Sequence, residues 1–158
     1  IIRAASDLDF RIVAVDDLEA NLAKVEPALV EEVVDSFDQH TIDALPYGPN
    51  TFLVIATREH AVDQNLLERC LKQSYAYLGV IGSERKAAMQ KKRLAAKGYT
   101  PEEIETVCCP MGVDIAAETP AEIAISVVAE LIRVRRSTPN EGFESDGVTS
   151  LVSEKVGA

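Results

Sequence analysis

Three short runs, FRIVAVDD (Phe10 to Asp17), TFLVIATR (Thr51 to Arg58) and AYLGVIG (Ala76 to Gly82), have apolar centres that are continuous rather than alternating. A strand with one wet face alternates apolar and polar side chains; an unbroken run is the mark of a strand buried on both faces, as in a parallel sheet. VEEVVDSF, about Val30 to Phe37, is a weaker fourth run. Helical patterns separate them. From Val62 to Gln73, Leu66, Leu67, Cys70 and Leu71 share one face, and Glu84 to Lys97 is dense in strong helix formers. Thr100-Pro101-Glu102-Glu103 and Thr119-Pro120-Ala121-Glu122 each offer a capping hydroxyl, a proline at the first helical position and a glutamate at the third, so two more helices start there. The last, Pro120 to about Arg136, turns Ile123, Ala124, Val127, Val128, Leu131 and Ile132 inward and places Arg133, Arg135 and Arg136 at the negative end of its dipole. Strands alternating with helices at this spacing predict right-handed βαβ units and an open, doubly wound, mostly parallel Rossmann-like sheet.

The chain has 158 residues, 47% of them hydrophobic, which suits one domain with a buried core. Residues 1–136 form that expected domain. Residues 137–158 are polar and rich in Gly and Ser, and read as a mobile tail in which GVTSLV is a candidate edge strand. Sixteen Lys and Arg against 26 Asp and Glu give a net charge of -10, which repels nucleic acid and anionic membranes. No apolar run approaches the roughly 18 residues of a membrane span. The three cysteines are an odd set with Cys108 and Cys109 adjacent, which points to a reducing, cytoplasmic setting. No C-x-x-C or H-x-x-x-H pair suggests a metal site, and no G-x-S-x-G elbow or Ser/His/Asp set suggests covalent hydrolysis.

In doubly wound sheets ligands bind beyond the carboxyl ends of the strands. The residues that follow the runs are Asp16-Asp17, Thr57-Arg58-Glu59-His60, Gly82-Ser83-Glu84-Arg85-Lys86 and Cys109-Pro110-Met111-Gly112-Val113-Asp114. Asp16 stands where such folds receive ribose hydroxyls, but it equally suits a turn or helix cap. The glycine-rich phosphate turn that precedes such an acid by about twenty residues is expected upstream of Ile1, with IIRAASDLD as the remainder of the helix after it. Gly82-Ser83 suits a capped turn, and helix amides after it suit an anion. Arg58, Arg85 and Lys86, cations gathered at strand ends of an acidic chain, favour an anionic ligand group. The six basic residues between Glu84 and Gly98 read mainly as a solvated face, with a docking surface for an acidic partner as the alternative.

TREHAVD, YLGVIGSERKAAMQKKRL and CPMGVDIAAETPAEIAISVVAELI, in this order, resemble the C-terminal Rossmann domain of the XdhC/CoxI family, xanthine dehydrogenase accessory proteins, over about residues 1 to 136. The resemblance implies a maturation factor that binds molybdenum cofactor, as molybdopterin or its dinucleotide. Such a factor protects the cofactor while it is sulfurated and delivers it to an apo xanthine dehydrogenase-type molybdenum hydroxylase. It implies a cofactor-binding chaperone rather than a catalyst, with a cysteine desulfurase and a second copy of the chain as further candidate partners. Carried over by position, the matching residues also include Asp63, Pro110, Glu118, Thr119 and Pro120. With the strand-end placement, the candidate cofactor-binding set is Asp16, Thr57, Arg58, His60, Gly82, Ser83, Arg85, Lys86, Cys109, Gly112 and Asp114. The chain departs from the family pattern at Ala116, where glycine is usual, and in lacking the upstream glycine-rich turn and N-terminal domain. The alternative is an NAD(P)-dependent oxidoreductase that uses Asp16 for adenosine ribose.

Overall fold

The structure, a computed structural model, describes residues 1–137 and the backbone of a two-residue strand, Val148–Thr149. All the predicted strands form, each shorter than its apolar run: β1 (Ile12–Val15), β2 (Glu32–Val34), β3 (Phe52–Ile55) and β4 (Tyr77–Val80). Among the described residues a fifth, β5 (Val107–Cys108), and β6 (Val148–Thr149) complete the set. Helix α1 (Ile2–Ala5) precedes β1, and α2 (Glu19–Leu22) and α3 (Gln39–Asp43) flank β2. Then α4 (His60–Cys70) joins β3 to β4, α5 (Glu84–Ala96) and α6 (Pro101–Glu105) join β4 to β5, and α7 (Pro120–Ser137) closes the described core.

Every pairing is parallel, in the orders β2-β1-β6 and β3-β4-β5. Neighbouring side chains on each strand point to opposite faces, so β1 and β3 feed two cores. Ile12, Ala14, Phe52, Val54 and Tyr77 pack with α1 and with Val127, Val128 and Leu131 of α7. Val13, Val15, Leu53, Ile55, Leu78 and Val80 pack with Ile42 of α3, Leu66, Leu67 and Cys70 of α4 and Leu94 of α5. Helices thus cover both faces, and all four residues of β1, β3 and β4 are buried, which is why their sequences do not alternate.

The tail expected over 137–158 lies outside the described residues except for Ser137 and β6. The latter falls in the GVTSLV run, pairs with β1 through Ile12↔Val148 and Val13↔Thr149, and runs close to β3.

The caps form as their residues dictate. Ser83 accepts from the Lys86 amide to start α5. Thr100 and Glu103 form a reciprocal capping box on α6. Thr119 and Glu122 exchange amide hydrogen bonds at the start of α7. Gly98, at φ +89, follows the end of α5, a backbone angle that side chains disfavour.

Candidate functional site

The strand ends place the polar residues in two groups linked by the segment from Thr57 to His60. In the first, the Asp16 carboxylate is 1% exposed and accepts from the Leu18 amide at 2.8 Å and the Asn21 side-chain amide at 2.9 Å. These bonds tie the turn after β1 to α2. Arg58 donates to Asp17 at 2.9 Å and lies 3.6 Å from both Asp16 and Glu59. Its charge is therefore met by the protein's own acids.

The second group is built on a buried ion pair. Asp63, in the first turn of α4, is fully buried; its Oδ1 accepts from the Thr57 amide at 3.0 Å and the Thr57 hydroxyl at 2.6 Å. Its Oδ2 accepts from Lys86 Nζ at 2.6 Å, and the same ammonium donates to the Ile81 carbonyl at 2.5 Å. Gly82 makes this possible: a Cβ there would sit 2.5 Å from Lys86 Cδ. Lys86 fastens α4 and α5 to the ends of β3 and β4 and has little charge left for a ligand.

Beside that pair opens a pocket of about 350 Å³ lined by His60, Ser83, Arg85, Lys86, Met89, Gln90 and Arg93. Four of these belong to the candidate set drawn from strand-end position; Met89, Gln90 and Arg93 do not. The signal was present in helical spacing, since Arg85, Met89 and Arg93 recur every four residues, as do Lys86 and Gln90. Arg85 and Arg93 are exposed and form no ion pair among the described residues. Gln90 is 4% exposed; its Oε1 accepts from the Cys109 thiol at 3.0 Å, while its Nε2 is buried with no hydrogen-bond partner among the described residues. Burial, reinforced by Asp63 and Glu84 against the pull of Lys86 and Lys91, pushes the Cys109 thiol up to about 11, so it is protonated near neutrality and donates. The Cys109–Pro110 peptide is cis.

Gly112 and Asp114 do not line this pocket. The Gly112 amide donates to Glu130 Oε2 at 2.7 Å, and Asp114 accepts from the Ala116 amide at 3.1 Å. Glu130, absent from the candidate set, is 5% exposed and also accepts from the Tyr77 hydroxyl at 2.7 Å and from Arg133. Burial, with the Glu130 carboxylate next, drives the Tyr77 hydroxyl well above its ordinary range. Glu130 thereby ties β4, the loop after β5 and α7 together. Among the described residues no group of three or more His, Cys, Asp or Glu gathers as a metal site. No helix among them is long and apolar enough to cross a membrane.

A parallel sheet wound on both faces, with its polar residues collected beyond the strand ends, defines a Rossmann-like α/β domain. The model of the XdhC Rossmann domain matches residues 1–131, and the chain belongs to that family. The uncharacterized protein YqeB of Escherichia coli K12 is 39% identical over 98 residues, 62% of this chain and 18% of YqeB. A Bacillus subtilis protein described as a probable xanthine dehydrogenase subunit is 29% identical over 132 residues, 84% of this chain and 38% of that protein. A crystal structure of a xanthine dehydrogenase from Bacillus halodurans superposes with a TM-score of 0.72 at 27% identity, covering 91% of this chain and 41% of that one. The chain spans less than half the length of each of these relatives.

Proposed function

We propose that this domain serves a xanthine dehydrogenase system as a maturation factor. In that role it binds molybdenum cofactor, as molybdopterin or its dinucleotide, and helps insert the sulfurated form into an apo molybdenum hydroxylase in the cytoplasm. Family membership and the two relatives named for xanthine dehydrogenase support the system. The observation that carries the cofactor part is the pocket at the ends of β3 and β4. There Arg85 and Arg93, which form no ion pair among the described residues, border the same space as His60 and Gln90, whose buried amide N–H has no partner among those residues. Such donors suit the phosphate and the carbonyl-bearing rings of a pterin cofactor. A cysteine desulfurase and a second copy of the chain are the further partners this role calls for.

Full-length protein should copurify with a pterin that fluoresces after oxidation, and should accelerate activation of apo-hydroxylase. Repeated absence of both overturns the proposal. The NAD(P)-dependent alternative draws less support, because the Asp16 carboxylate is 1% exposed and both its oxygens already accept hydrogen bonds.

A further inference from the structure

Among the described residues, the face of α5 that carries Arg85, Met89, Gln90 and Arg93 brings cations, a buried amide and a thioether to one pocket. We infer that this pocket is a phosphate-ester site: Arg85, Arg93 and His60 grip the anion, the Gln90 amide donates to an acceptor on the ligand, and Cys109 is the positioning residue that aims Gln90. This deepens the cofactor-binding proposal and rests on it only for the organic part of the ligand.

Three independent features converge. First, the chain carries a net charge of -10, and its nearby cations Arg58 and Lys86 are neutralised by Asp17 and Asp63. Arg85 and Arg93 sit two turns apart along one helix face and pair with no carboxylate among the described residues, so their charge is open to an anion. Second, a buried amide N–H without an acceptor keeps its full desolvation cost until a ligand supplies one. Gln90 Nε2 is such a group, and Gln90 borders the pocket. Its orientation is not free. The Cys109 thiol donates to Oε1, so Nε2 is the atom left to meet a ligand. Third, Met89 lines the same space at 46% exposure. A polarizable thioether there is a platform for a flat unsaturated ring attached to the phosphate. At about 350 Å³ the pocket accepts a small phosphorylated heterocycle rather than a macromolecular chain.

The test is calorimetric titration of the full-length protein with inorganic pyrophosphate at low salt, where charge contacts are least screened. Wild type should bind saturably. Arg85→Ala with Arg93→Ala, both exposed and safe for folding, should weaken binding at least about tenfold, as should Gln90→Glu, which keeps the acceptor for Cys109 but replaces the donor with a charge. Cys109→Ala should weaken binding, and Cys109→Ser, which retains a hydroxyl donor, should restore it; a purely packing role for the thiol would not follow that order. Arg136→Ala, which removes an exposed cation outside the pocket, should leave the affinity unchanged. No saturable binding by wild type, or wild-type affinity in the double arginine variant, overturns the inference. Cofactor that copurifies undiminished with the arginine variant overturns the pocket and spares the cofactor reading. Pyrophosphate binding that obeys the variants in a protein that never carries pterin spares the pocket and overturns the cofactor reading.

Discussion

Lys86 Nζ lies 2.6 Å from Asp63 Oδ2, with the carboxylate fully buried and the lysine side chain 12% exposed. The pair joins α5 to α4 beside the pocket, and the Thr57 amide and hydroxyl satisfy the other carboxylate oxygen. Removing one member of a buried, hydrogen-bonded pair strands the other charge, which costs about 3 to 5 kcal/mol. Asp63→Ala should lose stability of that order in urea unfolding. Asp63→Ala combined with Lys86→Met should recover a large part of it. If the double variant is as unstable as the sum of the single ones, the two groups are not coupled.

Glu130 predicts a milder effect at a distance. Tyr77→Phe removes a buried hydroxyl donor while the Gly112 amide and Arg133 still serve the carboxylate, so the loss should be about 1 kcal/mol in the same measurement. Glu130→Ala leaves the Gly112 amide and the Tyr77 hydroxyl without their acceptor and should cost clearly more.

Gly112 and Ala116 form a contrasting pair in the loop between β5 and α7. Gly112 has φ +105, and a Cβ there would meet Ser126 Oγ and the backbone of α7. Gly112→Ala should destabilise the fold by at least about 1 to 2 kcal/mol from the left-handed backbone alone. Ala116 has φ +54, where a side chain is disfavoured. Ala116→Gly relieves that strain, less the greater entropy glycine has when unfolded, and should raise stability by about 0.5 to 1 kcal/mol. An unchanged or lowered thermal midpoint would contradict this.

The thiols contribute to the loss of stability in alkali, beside the tyrosines Tyr47 and Tyr77. Burial raises Cys109 to about 11 and Cys70 to about 12 from ordinary values of 9.0. Each folded thiol holds its proton more tightly than the unfolded one. The resulting stability is therefore fully present below about pH 9 and is lost as pH rises through 11 and 12. Unfolding free energy measured across this range should decline above about pH 9, and Cys70→Ala with Cys109→Ser should flatten the thiol part of the decline. Alkylation of half-buried Cys109 should be slow at neutral pH and rise about tenfold per pH unit toward about 11, since only the thiolate attacks.

The amino-acid order by itself determined where β1 to β4, α4 to α7 and the caps Ser83, Thr100 and Thr119 lie, though not the short α2, α3 and β5. Those depend on contacts a few residues apart: β-branched runs, a four-residue apolar stripe, a threonine three residues ahead of a glutamate. It also determined which residues reach the strand ends, because chain direction in a parallel sheet puts them on one edge. The tertiary structure decided what those residues do there. Arg58 meets Asp17 across 41 positions and Lys86 meets Asp63 across 23, so two of the three cations at the strand ends are neutralised by the protein itself. Arg93 and Gln90 join the pocket instead. Nothing in its sequence neighbours marks Glu130, yet it is buried against a tyrosine 53 residues away. Charge is written in the sequence, but its availability depends on which side chains lie within a few ångströms, and packing alone sets that distance.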